Sequence, residues 1–454
     1  MEAGFKSLVV MILCIIALVI MIMKLKIHPF FTLIFVAVVG AIGFGFPLQD
    51  VFSTVTGGFG GTIGNIGIVI VLGCTIGVVL EDTGGALVLA NSILKLVGRK
   101  RSKLAMALTG YLVSIPVFSD SAIVIMSPVA RALSARGGIP LVALLGALNA
   151  GILATHTMVP PTPGPIAAAG TLGADLGFMI LLGLVTSAAY TAAASAWCSS
   201  KHMLTKYPEL AKVEHVETAL GDDFTLSSPD GRPLPSAWIA FGSILVPVIL
   251  ICINSFGSLL IPEGSPALPY LGFIGNPIFA LFIGVLISLL MDKERLTWDQ
   301  CYAWFSDAVD KSGFIVLATG AAGAFGAVLK ASGVGTYLGE LIAQTPLPAV
   351  FVPFLISVLL SVANGSATVA LMTGSAIVLP LMPSLGLSPV IATLAIAAGS
   401  SFFYHANASH FWVVLKSNGD LPMSEGYELC SVATAIGSVA AMASVWILSI
   451  FIHV

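Results

Sequence analysis

The chain has 454 residues, of which 57% are hydrophobic and only 9% charged, with a formal net charge of −3. Ordinary soluble proteins carry roughly 25% charged residues, so a soluble fold is excluded and the composition reads as an all-α polytopic membrane protein. No basic tail or zinc-type spacing is present, which argues against nucleic acid, and the six isolated cysteines imply neither a disulfide framework nor a metal site.

In chain order, apolar stretches long enough to cross a bilayer fall near residues 5–23, 28–46, 64–80, 139–157, 177–197, 237–256, 271–291, 313–329, 388–406 and 428–452. The first reads as a retained helix rather than a cleaved leader, because Lys24 and Lys26 follow it and no small-residue cleavage site does. Two other regions, 104–136 and 349–383, are pairs of short apolar arms joined by small polar residues. Arms this short suit re-entrant hairpins, with two full spans per region as the alternative. The tips are Ser119-Asp120-Ser121 and Asn364-Gly365-Ser366.

With the hairpins re-entrant, all but Lys6 and Lys330 of the 19 Lys and Arg residues fall on one side, which is therefore cytoplasmic. The chain also repeats. Val79-Leu80-Glu81-Asp82-Thr83-Gly84 matches Val328-Leu329-Lys330-Ala331-Ser332-Gly333, Ser121 matches Ser366, and His156 matches His405. Five crossings per half make the second half inverted. The expected organisation is a first repeat over 1–198, a cytoplasmic linker over 199–236 and a second repeat over 237–454. Trp298 to Asp310 reads as amphipathic and interfacial.

Each half also holds a broken helix, about 139–165 and 388–412. The first break carries Thr155, His156, Thr157 and the run Pro160-Pro161-Thr162-Pro163-Gly164-Pro165; the second carries His405, Asn407, Ser409 and His410. Irregular backbone at membrane depth is tolerated only inside protein or beside a watered cavity. Corresponding breaks in two halves point to a transporter's substrate site. A surface loop is the alternative for the proline run.

A carboxylate such as Asp120 costs about 2.5–3.5 kcal/mol at mid-membrane, which favours function. Asp120 is accordingly the first choice of proton carrier, followed by His156 and His405, although Asp120 also suits an N-cap of the second arm. Asn364, Gly365, Ser366 and Thr368 mark a helix start whose N–H groups and dipole suit a carboxylate. Ser119, Ser121, Thr155, Thr157, Thr162, Asn407, Ser409 and the three histidines would meet substrate hydroxyls. Lone membrane histidines also serve as packing residues.

On Gly57-Gly58-Phe59-Gly60-Gly61-Thr62, Gly365 to Ala370, Pro160 to Pro165, His405-Ala406-Asn407 and Phe411-Trp412, the chain resembles the gluconate permease family over nearly its whole length. The resemblance implies a relative of the ion transporter superfamily: inverted repeats with paired hairpins, elevator-type transport, a homodimer and a bacterial inner (plasma) membrane. It also implies a secondary transporter that moves a small organic acid anion with protons, without cofactor or enzymatic activity. Members of that family usually have Glu where this chain has Asp120, His at Thr162, Asp at Ala408 and Gly at His410. The alternative is a sodium-coupled di- or tricarboxylate symporter.

Overall fold

A computed structural model of the chain describes residues 2–98, 101–206, 233–262, 264–335, 337, 347–405, 408–417 and 421–452. Most of the linker expected over 199–236, and Asn407, lie outside the described residues. The described residues are helical, without strands.

The first half runs α1 (Glu2–Met23), α2 (Pro29–Phe44), α3 (Leu48–Asp82), α4 (Gly85–Val97), α5 (Ser102–Val113), α6 (Ser119–Gly137), α7 (Leu141–Met158), α8 (Pro163–Leu172), α9 (Leu176–Cys198) and α10 (Lys201–Lys206). The second half runs α11 (Ala237–Leu260), α12 (Leu268–Ile274), α13 (Pro277–Leu289), α14 (Trp298–Ala331), α15 (Phe351–Asn364), α16 (Ala367–Val378), α17 (Pro389–Ser400), α18 (Ser409–Ser417) and α19 (Met423–Phe451). Proline and glycine punctuate these helices. α2 starts at Pro29 and ends at Gly45 with φ 87°; α8 starts at Pro163 and ends at Gly173 with φ 74°.

Among the described residues eight helices are long and apolar enough to cross a membrane, or nine if the bent pair α12 and α13 counts as one span. Ten crossings were expected. The shortfall has local causes: α2 has 16 residues before its glycine cap, and α17 has only 12 before the chain breaks. The expected 271–291 span bends by 48° between α12 and α13, where Asn276 caps a new helix beginning at Pro277.

Three further features go beyond the expected spans. Trp298 to Asp310 forms the first part of the 34-residue α14. Trp304 is buried there against Val78 and Val79 of α3, and its indole N–H donates to Asp82 at 2.8 Å. Helix α4, unanticipated, buries Ala86 to Asn91 behind α5. The second arm of the second hairpin continues helically from Ala367 to Leu385, 19 residues and long enough to span, rather than stopping at 12–15.

The centre of the molecule is α7, in which every residue is buried, together with α8, α16 and α17. Glycines let backbones meet there. A Cβ on Gly77 would strike the Pro116 carbonyl of the first hairpin, and one on Gly73 would lie 2.7 Å from the Pro161 carbonyl. Thus α3 seats the hairpin turn and the first helix break one turn apart.

Candidate functional site

Two hairpin tips and two helix breaks converge on one polar cavity of about 340 Å³. Its walls include Ser119, Asp120 and Ser121 from the start of α6, His156 from α7, Gly365 to Thr368 at the start of α16, and Tyr404, Ser409 and His410 from the second break. Phe118 and Lys311 complete the lining.

The first tip forms because the chain turns over Ser114 to Pro116, Phe118 is extended and α6 begins at Ser119. Asp120 sits in the first turn of α6, but no side chain caps that helix, so the N-cap reading does not hold. Instead Ser409 donates to Asp120 Oδ2 at 2.9 Å, and His410 Nδ1 lies 2.9 Å from Oδ1. The other ring nitrogen of His410 lies 2.7 Å from Asn149 Oδ1. His410 is 3% exposed and Asp120 41%, so the carboxylate faces the cavity while the imidazole stands behind it.

The second tip differs. Gly365 takes φ 66°, a conformation that favours glycine, and reverses the chain. Ser366 then caps α16 by accepting from the Val369 N–H at 3.4 Å. The first-turn N–H groups of α16 point the positive end of its dipole toward the cavity. Asn364 closes α15 at this tip.

The second break leaves carbonyls without helical partners, and α19 supplies them. Ser438 donates to the Ala398 carbonyl at 2.6 Å, Thr434 to that of Phe402 at 3.2 Å, and Ser431 to that of Tyr404. A single π turn over Tyr427–Val432 lies at the Ser431 end of this row. Buried carbonyls left unpaired would cost about 1–3 kcal/mol each, so this row of hydroxyls holds the chain from Ala398 to Tyr404 in place.

Several expected site residues lie elsewhere. The hydroxyls of Thr155, Thr157 and Thr162 do not line the cavity; they donate to the carbonyls of Gly151 at 3.2 Å, Leu153 at 2.8 Å and Val159 at 2.6 Å. Back-bonding of this kind is the local alternative open to any helical threonine, and it occupies all three. The proline run is buried, not a surface loop. His405 is also outside the cavity wall; its Nε2 lies 3.0 Å from the Val362 carbonyl on α15. By contrast His156, 8% exposed, lines the cavity with a buried Nδ1 that has no hydrogen-bond partner among the described residues.

Three contributors were not singled out from sequence: Asn149, Tyr404 and Lys311. Asn149 reads as one polar residue in an apolar helix, and the intramembrane amide was its only signal. Lys311 was counted among the cytoplasmic charges, yet it lines the cavity and pairs with Glu81 at 3.2 Å and Asp307 at 3.1 Å. No group of three or more His, Cys, Asp or Glu suited to a metal occurs among the described residues.

The chain matches the GntP family of permeases over residues 6–451. It is 30% identical over 440 residues to a gluconate permease of Pseudomonas aeruginosa, covering 96% of both chains. It is 31% identical over 436 residues to the inner membrane permease YgbN of Escherichia coli, covering 93% of this chain and 94% of that one. Among solved structures it is similar in fold to MtrF of Neisseria gonorrhoeae, described as one of a class of antimetabolite efflux pumps. That match has a TM-score of 0.67 at 14% identity, over 95% of this chain and 97% of the other.

Proposed function

The chain belongs to the GntP permease family, and on that premise we propose that it takes up a small hydroxy-carboxylate, a sugar acid of the gluconate type, together with protons. It is a multi-pass permease of the inner membrane and not an enzyme.

The observation that carries the substrate reading is the joining of unlike groups in one cavity: a carboxylate, two imidazoles, a lysine, several hydroxyls and a capped helix start. A hydroxy-carboxylate needs both halves of this set. Its anionic end is met by the α16 start at Ser366, with Lys311, itself paired to Glu81 and Asp307, on the cavity wall. Its hydroxyls find acceptors and donors in Asp120, Ser409, Ser119, Ser121, Thr368 and His156. The gluconate permease of Pseudomonas aeruginosa at 30% identity points to the same class.

Proton coupling is supported by the same residues. Asp120 faces the cavity with His410 behind it and His156 beside it, so titratable groups stand where the anion would bind. Each pH unit across the membrane then supports about tenfold accumulation per coupled proton.

We read the architecture as two inverted repeats working as an elevator in a homodimer. In support, the long helices α3 and α14 have 35 and 34 residues, and each is followed by a hairpin, a broken helix and a closing helix in the same order.

Purified protein in liposomes tests the function. An inward proton gradient should drive accumulation of labelled gluconate, and a protonophore should abolish it. Uptake that follows a sodium gradient and ignores the protonophore overturns the proton reading. Absence of uptake for gluconate and other sugar acids overturns the substrate reading.

A further inference from the structure

Of the groups in the cavity, His410 has the most constrained surroundings. Both of its ring nitrogens face oxygen acceptors, Asp120 Oδ1 at 2.9 Å and Asn149 Oδ1 at 2.7 Å. An acceptor on each nitrogen suits an imidazole that carries both protons, because a neutral ring has only one N–H to donate. Asn149 is buried at 2% exposure beside it.

Resting on the uptake reading above, we infer that the coupling proton is carried by the Asp120–His410 pair, on the His410 imidazole, and that the charge of this pair gates anion binding. The step is a simple protonation: with Nε2–H already donated to Asn149 Oδ1, a proton from cavity water adds to the neutral ring at Nδ1, on the Asp120 side, and no other bond changes. The pair's net charge goes from −1 to zero. In the unprotonated state the substrate carboxylate meets an uncompensated carboxylate. At about 6 Å and an effective dielectric of about 20, that repulsion weakens binding roughly 100-fold. Protonation removes it, so anion and proton enter together.

The other charged groups do not substitute for this pair. Lys311 shares the cavity but is already bridged to Glu81 and Asp307. The remaining titratable groups facing His410 are His156 from α7 and Tyr404, whose ring lies 5.7 Å away edge-on. Arg131 on α6, and Glu425 beyond α18, belong to elements packed against α18 but do not line the cavity. Asp120, at 41% exposure, gives the buried ring a path to water. Asn149 acts here as a positioning residue that fixes which protonation state the ring holds.

The test is equilibrium binding of gluconate to the purified protein as a function of pH, with proton uptake read in weakly buffered solution. The wild type should lose affinity about tenfold per pH unit above a midpoint and take up about one proton per gluconate bound there. His410→Gln should bind with an affinity that no longer varies with pH and without proton uptake. Asn149→Leu keeps shape and adds no charge, and should move the midpoint down by about 1–2 pH units through loss of the acceptor on the imidazolium. Should His410→Gln fail to fold, the Asn149→Leu midpoint decides alone. A pH-independent wild type, undiminished proton uptake in His410→Gln, or an unmoved midpoint in Asn149→Leu overturns the inference while leaving the transport reading intact. Failure of the wild type to bind gluconate at any pH overturns both.

Discussion

One helix break lies in each half of the chain, and the two are held in opposite ways. The first, between α7 and α8, is satisfied locally: Val159 donates to Thr155, and Thr162 donates both its N–H and its hydroxyl to Val159. The second, between α17 and α18, leans on hydroxyls from α19, far away in sequence. The consequence is functional asymmetry. The locally closed break offers the cavity one side chain, His156, whereas the remotely braced break offers Tyr404, Ser409 and His410. The histidines of the two breaks therefore differ in role: His156 faces the cavity, while His405 Nε2 lies 3.0 Å from the Val362 carbonyl. Where a chain breaks sets which residues come near the site; who satisfies the freed carbonyls sets which of them enter it.

The comparison can be broken most forcefully at the group that both breaks surround. Asp120→Asn should abolish proton-driven accumulation, a loss of about 100-fold under a gradient of two pH units, measured as steady-state uptake in liposomes. Next in size, the two histidines should separate. His156→Leu should raise the apparent KM for the transported acid about tenfold, as expected for losing one cavity hydrogen bond to a charged ligand, while His405→Leu should stay within about threefold of wild type. Equal effects would mean the two breaks serve the site alike. Smaller again, Ser431→Ala leaves the Tyr404 carbonyl without its partner and should cost about 1–3 kcal/mol, read as a lowered melting temperature in detergent. The smallest effect is expected at the second tip. Ser366→Ala removes the α16 cap and should cost about 0.5–2 kcal/mol in stability, together with a weaker substrate affinity.

Much of the architecture was legible because lipid imposes simple rules on sequence. Apolar runs marked the helices, and proline, glycine and small polar residues marked their ends. Polar residues inside apolar hairpins marked Ser119, Asp120, Ser121 and Ser366, all of which line the cavity. Helix limits were less legible, since an apolar window stops where hydropathy falls and a helix stops where its backbone is capped. That difference explains why α3 and α14 outrun the expected 64–80 and 313–329, and why α17 stops early. The threonines of the first break illustrate a further gap. A hydroxyl near a break is equally able to meet a ligand or its own helix, and for Thr155, Thr157 and Thr162 the nearer carbonyl won.

By itself, the sequence determined that this protein lives in a membrane, where its helices break and which two tips carry polarity, because each of those is a local property of composition and backbone chemistry. Only the tertiary structure decided that Asp120 is held by His410 and Ser409, that Asn149 stands behind His410, and that Lys311 borders the cavity. Those contacts join residues 289, 290 and 261 positions apart for Ser409, His410 and Asn149 respectively. Their partners are chosen by the packing of whole helices, and no local pattern records which distant acceptor an imidazole or a hydroxyl will find.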